Sequence, residues 1–247
     1  MKMSIMQPYF LPYLGYFSLI KHTDQIILLD TVKYIRHGWI ERNRILKPGN
    51  EWQYIRAPLK KHSSNSLIKD IEIDEGQKWK EKIFNQLLHY KRRAPFYNET
   101  IKILEKGLAG EPESIVKLNQ NLITEICNYL NIDINLHIFS EMDLQIEKPQ
   151  AADEWALNIC SSIGGVHEYW NLEGGIKFFN PRKYTEAGIE IKFMKMNLKE
   201  YPQKRKNFEQ GLSIIDVLMF NDISEINLML DDFYFIEQGV KPAVVIE

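Results

Sequence analysis

Short apolar runs alternate with helical patterns at both ends of the chain, and this alternation restricts the folds that it can adopt. Strand-like runs lie at 3–6, 25–30, 134–142, 166–171 and 189–195, and helical patterns lie at 12–23, 150–165, 180–188 and 212–220. Strands that alternate with helices build parallel sheets whose faces those helices cover. We therefore predict an α/β fold with a mostly parallel, Rossmann-like sheet and helices on both faces.

The middle of the chain is predicted to be helical. Apolar residues recur there with helical spacing, first at Trp79, Ile83, Leu87 and Tyr90, then at Ile115, Leu122, Ile126 and Leu130. A stripe of this kind buries one face of a helix. No segment is long or polar enough to link two independent domains. We therefore expect residues 1–247 to form a single domain with a helical insertion, a subdomain at about 76–131.

Charge and composition argue against several classes of function. The chain is 26% charged but its net charge is only −2, which removes the global electrostatic argument for binding nucleic acid or a membrane surface. No apolar stretch reaches the roughly 18 residues of a membrane span. The apolar N-terminal run is broken by Gln7 and two prolines, unlike a signal peptide. Cys127 and Cys160 lie in apolar helical patterns, so we expect buried free thiols and a cytoplasmic protein.

Polar residues at predicted strand ends are the first candidates for a site. Ligands of open α/β sheets bind beyond the carboxyl ends of the strands, which here points to Gln7, Asp30 and Asn171. Asp30 and His37 are the best candidates for a general acid or base. The six histidines form no close pair and the two cysteines form no zinc set, so no metal site is predicted.

The stretch QPYFLPYLGYF, residues 7–17, allows two interpretations. In the first it is a strand-to-helix turn that holds a ligand. Gln7 would then make hydrogen bonds, Gly15 would let a ligand or a second backbone approach, and Tyr13 and Tyr16 would line an aromatic wall. In the second, the aromatic side chains pack in the hydrophobic core and the prolines stiffen a turn. The pattern alone favours this second interpretation.

A second polar and aromatic cluster lies in the segment HGWIERNRIL, residues 37–46. Arg42 and Arg44 can bind phosphate or carboxylate through two hydrogen bonds each, and Trp39 can stack on a base or a sugar ring. Asn43 can orient a hydroxyl or an amino group. The alternative is a solvated loop with one aromatic anchor. Later, the segment EYWNLEGG offers either glycines that admit a ligand or, as we favour, a tight turn.

Four segments together resemble the WbqC-like protein family. They are IMQPYFLPYLGYFSLI (5–20), LLDTVKYIRHGWIERNRIL (28–46), EYPQ (200–203) and LSIIDVLMF (212–220). The resemblance adds Tyr201 and Gln203 as site residues. Two positions depart from the family pattern, since Thr31 replaces the second residue of an acidic pair and NLEGG replaces a more glycine-rich segment. If the acidic pair carried proton or metal chemistry, Thr31 would weaken that role.

The resemblance implies a role among the enzymes that make bacterial O-antigen, the outer part of lipopolysaccharide, and other surface polysaccharides. Our leading hypothesis is a transferase or ligase that aminoacylates or acylates a nucleotide-linked amino sugar, its expected small-molecule partner. Arg42 and Arg44 would hold the pyrophosphate, and Trp39 and Tyr16 would stack on a ring.

Two other functions stay open. Phe10, Pro12 and Gly15 resemble the turn of nucleotidylyltransferases and pantothenate synthetases, which favours an ATP-dependent, adenylate-forming ligase, although both histidines of that motif are absent. The third possibility is a non-catalytic protein that binds a sugar nucleotide or assembles a complex. The sequence identifies no cofactor, and it leaves the sugar, the donor group and the oligomeric state open. The helix at 212–220 is predicted to begin at Ser213, with Asp216 placed for a capping box.

Overall fold

A parallel sheet lies at the centre of the computed structural model, which describes residues 1–49 and 51–236. In chain order the strands are β1 (Lys2–Met6), β2 (Gln25–Leu28), β3 (Arg42–Leu46), β4 (Trp52–Arg56), β5 (Leu136–Ile138), β6 (Glu168–Leu172), β7 (Glu190–Met196) and β8 (Phe233–Phe235). The sheet has the order β5-β2-β1-β6-β7-β8, and its neighbours are parallel except for β7 and β8. The predicted mostly parallel α/β sheet is therefore confirmed.

Helices cover both faces of this sheet. They are α1 (Leu14–His22), α2 (Trp79–Leu87), α3 (Tyr97–Gly107), α4 (Ile115–Leu130), α5 (Glu154–Ile163), α6 (Pro181–Glu186), α7 (Ile214–Phe220) and α8 (Ile223–Asp231). The side chains of a strand alternate between the two faces of the sheet, so each strand contributes to a hydrophobic core on either face. Met3 and Ile5 of β1 pack with α5 and α6, whereas Met6 packs with α1, α4 and α8.

The two cysteines lie one in each core, as free and buried thiols, which confirms the sequence prediction. Cys127 is on α4 and Cys160 is on α5. Burial raises the pKa of each thiol to about 12, so both stay protonated near neutral pH.

The helices of the middle segment share a core with the C-terminal helices. In the chain, α2, α3 and α4 lie between β4 and β5, and α3 packs on α7 while α4 packs on α8. Their apolar stripes belong to the same hydrophobic core as α1. Whether 76–131 is a distinct subdomain of one domain stays a prediction.

Two local predictions differ from the structure. The run 134–142 was expected to be one strand, but β5 is short and a 3-10 turn follows at Phe139–Glu141. The backbone N–H of Ser140 in that turn donates to the Asp30 carboxylate, which ends the strand pairing there. The polar segment 37–46 contains β3, which forms an antiparallel hairpin with β4 apart from the main sheet.

The strand order creates a switch point beside β1. From β1 the chain builds outward through β2 to β5, and then returns to the other side of β1 to add β6 and β7. Because successive units leave in opposite directions, a crevice opens between β1 and β6 at their carboxyl ends. In open α/β sheets this crevice is where ligands bind.

Candidate functional site

A cavity of about 580 Å³ opens at this switch point. Its lining includes Gln7 at the end of β1, Leu29 after β2, and Leu172 at the end of β6. The volume falls within the usual range for small-molecule sites, and the lining is mainly apolar and aromatic. Fold and cavity together define a doubly wound α/β protein with a cavity at its switch point, which we take as the candidate site.

One wall of the cavity is the turn between β1 and α1. Two buried amides hold that turn from behind. The Asn43 side-chain N–H₂ donates to the carbonyls of Phe10 (3.1 Å) and Leu11 (2.9 Å), and the Asn119 amide donates to Pro8 (2.7 Å) and to a carbonyl of the neighbouring loop. Asn43 Oδ1 accepts from the backbone N–H of the next residue, so its hydrogen bonds are used within the protein although it also lines the cavity.

Tyr13 and Tyr16 take different positions around that turn. Tyr13 lines the cavity, and its ring lies over Gly15: a Cβ on this glycine would be 2.4 Å from the phenolic oxygen. Gly15 is therefore needed for the packing of Tyr13. Tyr16 is fully buried and donates its hydroxyl to the Gln7 carbonyl at 3.0 Å. It supports the turn rather than lining the cavity.

Arg44 and Trp39 complete this side of the site. Both line the cavity, and the Arg44 guanidinium lies 5.8 Å from the Trp39 ring centroid and 5.3 Å from that of Trp52. Arg44 Nη2 donates to the Gly211 carbonyl at 3.1 Å, while the buried Nε has no protein partner among the described residues. The aromatic rings and this carbonyl fix the guanidinium beside the cavity.

Arg42 and His37 lie outside the cavity lining. The Arg42 guanidinium is 4.2 Å from the Tyr54 ring centroid and donates to the carbonyls of His37 (2.5 Å) and Gly38 (3.3 Å). It thereby holds the loop that carries Trp39. The His37 side chain is exposed, and its backbone is in the left-handed region with φ 65°.

Asp30 lies on a second, separate groove of about 850 Å³ beyond β2 and β5. Its carboxylate accepts from the Ser140 backbone N–H (3.0 Å) and hydroxyl (2.5 Å). Burial raises the Asp30 pKa, and the two hydrogen bonds from Ser140 oppose that rise. Neither of the two acid or base candidates, Asp30 and His37, therefore lines the central cavity.

Tyr201 and Gln203 meet behind the site, around a buried carboxylate. Asp216 accepts hydrogen bonds from the hydroxyls of Tyr90 and Tyr201, each at 2.7 Å, and from Gln203 Nε2 at 2.8 Å. Burial raises the Asp216 pKa to about 6, and these three donors oppose the rise. The predicted capping box is wrong, because Asp216 points into this cluster and the Ser213 backbone N–H donates to the Arg44 carbonyl instead.

The opposite wall of the cavity comes from α5, from β6 and from the segment after β6, and the site residues predicted from the sequence do not include it. Its lining residues are Trp155, Tyr169, Asn171, Glu173, Phe178 and Phe179. Asn171, which the strand-end rule did indicate, donates to the Tyr169 hydroxyl at 2.8 Å. The segment 173–175 forms the expected tight turn, and both of its glycines also line the cavity.

The described part of the chain contains neither a cluster of metal ligands nor a membrane-spanning helix. Within residues 1–49 and 51–236, no three histidine, cysteine or carboxylate side chains lie close enough together to hold a metal ion. Over the same residues, no helix has both the length and the apolar character needed to cross a bilayer.

Comparison with known proteins identifies the family. A sequence model of the WbqC-like protein family matches residues 7–228, and the chain belongs to that family. The chain is also 28% identical over 223 residues to the "Uncharacterized protein Rv1507c" of Mycobacterium tuberculosis (strain ATCC 25618 / H37Rv), an alignment that covers 89% of this chain and 93% of that relative. No solved structure matches the chain.

Proposed function

We propose that this protein is a transferase or ligase that binds a nucleotide-linked amino sugar in the switch-point cavity and aminoacylates or acylates its amine. We place this activity in the cytoplasm, in the synthesis of a bacterial surface polysaccharide such as O-antigen. The observation that carries the proposal is the combination, in one cavity at the switch point, of aromatic walls with a fixed guanidinium.

The lining suits an anionic ligand that contains rings. Trp39 and Tyr13 on one side, with Trp155 and Phe178 on the other, offer flat surfaces for a base or a sugar ring. Arg44 offers guanidinium N–H groups for a pyrophosphate, and its position is already fixed before a ligand binds. Preorganisation of this kind reduces the entropy cost of binding.

The predicted substrate-binding residues divide into two roles under this proposal. Gln7, Tyr13, Trp39 and Arg44 line the cavity and would contact the ligand. The remaining candidates would position them: Asn43, Gly15 and Tyr16 hold the β1–α1 turn, Arg42 holds the loop of Trp39, and Tyr201 and Gln203 hold the segment that ends at Gly211.

Calorimetric titration tests the binding step. Amino sugars linked to UDP, dTDP, GDP and CMP would be titrated into the wild-type protein, into Arg44→Ala and into Arg56→Ala. Arg56 is an exposed arginine of β4 outside the cavity lining and serves as the matched control. We expect Arg44→Ala to weaken binding roughly 10- to 100-fold, the usual effect of losing a charged hydrogen bond. No binding across the panel, or equal binding by the two variants, would refute the proposal.

A binding protein without turnover is the second candidate function. It is favoured by the position of Asp30 and His37, neither of which lines the cavity. The test is to incubate the tightest-binding sugar nucleotide with activated acyl and aminoacyl donors and to follow amide formation by mass spectrometry. Amide product would rule out the binding-only function, and its absence with every donor despite tight binding would support it.

A further inference from the structure

Glu173 occupies a position at the cavity that the site residues predicted from the sequence do not include. It is the first residue of the 3-10 turn Glu173–Gly175, which follows β6 directly at the carboxyl end of the strand. Gly175 keeps this turn tight, because a Cβ there would lie 2.9 Å from Asn171 Oδ1. The turn therefore fixes Glu173 at the switch point, on the wall that faces the β1–α1 turn.

The charges of the cavity lining come from two side chains. Among the described residues that line it, Glu173 is the carboxylate and Arg44 is the cation, and no histidine, lysine or cysteine is present. Burial raises the pKa of the lining tyrosines Tyr9, Tyr13 and Tyr169, so these phenols are neutral near pH 7. The negative charge of Glu173 raises the pKa of Tyr13 further, which agrees with a carboxylate close to that phenol.

One oxygen of the Glu173 carboxylate is already paired. Lys195 Nζ lies 2.9 Å from Oε2. Both side chains are nearly half exposed, at 42% and 45%, so this ion pair is weak and leaves the carboxylate able to accept another donor.

We propose that Glu173 recognises a primary ammonium group of the ligand, while Arg44 binds its phosphate, so that the cavity selects sugar nucleotides with a free amine over their N-acetylated forms. This inference rests on the proposed function and names the group that sets its specificity. A carboxylate binds an ammonium through a charge-assisted hydrogen bond, which an uncharged amide replaces poorly. The same contact would hold in place the nitrogen that is acylated once the ammonium has lost a proton.

The test compares UDP, UDP-glucosamine and UDP-N-acetylglucosamine by calorimetric titration into three proteins: wild type, Glu173→Gln and Glu190→Gln. Glu190 is the matched control, since it is a carboxylate on β7 that also pairs with a lysine, Lys192 at 3.3 Å, but lies outside the cavity lining. Glu173→Gln keeps the shape of the side chain and removes its charge. Thermal unfolding of each variant would be measured in parallel.

We expect wild type and Glu190→Gln to bind the free amine about tenfold more tightly than the N-acetyl form. Glu173→Gln should lose this preference and bind UDP itself as wild type does. If wild type binds these ligands but Glu173→Gln keeps the preference, or if no preference exists in wild type, the role of Glu173 is wrong while the proposed function stands. If wild type binds none of the three ligands, the same comparison is made with the dTDP, GDP and CMP forms. No binding to any of these nucleotides would refute the proposed function, and the role of Glu173 with it.

Discussion

The buried Asp216 should make the protein less stable as pH rises through weakly acidic values. Its carboxylate is fully buried and accepts hydrogen bonds from three neutral donors, Tyr90, Tyr201 and Gln203, while the positive charge of Arg205 also favours its ionised form. Burial disfavours the ionised form more than these hydrogen bonds favour it, so the pKa is about 6 in the folded protein, compared with 3.8 for an ordinary aspartate.

The sign and size of the effect follow from linkage. Between pH 3.8 and pH 6 the folded protein keeps the Asp216 proton that the unfolded chain has lost, so a rise in pH favours unfolding. The stability that the raised pKa contributes is fully present below the pKa of the unfolded chain and is lost as pH rises through the pKa of the folded protein. A difference of about two pKa units corresponds to roughly 3 kcal/mol between pH 3 and pH 7.

Urea unfolding of wild type and Asp216→Asn, measured from pH 4 to pH 8, checks the prediction. Asparagine cannot ionise, so the difference in unfolding free energy between the two proteins should change by about 2 to 3 kcal/mol across this range. Wild type should become less stable relative to the variant as pH rises. Altered hydrogen bonding in the variant adds the same difference in unfolding free energy at every pH, so it does not affect the change with pH. A difference that is flat with pH, or that changes in the opposite direction, would show that the Asp216 pKa is not raised in the folded protein.

Asp232→Asn is the control for this experiment. Hydrogen bonds from Lys199 and Asn197 lower the pKa of Asp232, so its contribution to stability is present above the unfolded pKa and is lost only as pH falls below that value. The difference between wild type and this variant should therefore be flat from pH 5 to pH 8.

Three further outcomes follow from the packing around the site. Gly15→Ala should displace the Tyr13 ring and weaken ligand binding, and equal binding by the variant and wild type in a titration would contradict this. Its free energy of unfolding should change by no more than about 1 kcal/mol, because alanine favours the helix. Asn119→Ala should destabilise the protein by roughly 2 to 4 kcal/mol in urea unfolding, since two buried loop carbonyls lose their donor; a loss below 1 kcal/mol would count against it. Ser140→Ala should raise the Asp30 pKa further, because a hydroxyl donor is removed, as an NMR titration of that carboxylate would reveal; an unchanged or lower value would contradict it.

The sheet could be predicted from the sequence because its signal is local. The runs that become β1 and β2 are mainly apolar, as expected of strands buried on both faces. β6 and β7 carry charged residues, but helical patterns precede and follow them in the chain and indicate an α/β order. β3 gave no such signal. Its sequence RNRIL alternates arginine and asparagine with few apolar residues, because one face of the hairpin carries guanidinium groups that stack on aromatic rings.

The cavity was predictable on one side only. Gln7, Tyr13, Trp39 and Arg44 lie in two segments with unusual polar and aromatic composition, and the structure brings those segments together. The facing wall resembles core in the sequence, because an aromatic side chain that lines a cavity has the same helical or strand spacing as one that packs in the interior. The sequence predicts a capping role for Asp216 for a similar reason: it places this residue near the helix start but does not show which way the side chain points.

The pairing of β1 with β6 has a consequence for how the cavity forms during synthesis of the chain. Position 2 pairs with position 168, so the second wall of the cavity is joined to the first only after most of the chain has left the ribosome. Until then β1 exposes an unpaired edge on that side, which is the kind of surface that recruits chaperones or aggregates. Pairings between such distant positions also slow folding, because a long loop must close first. Truncated chains that end before β6 should therefore fold incompletely and bind no ligand.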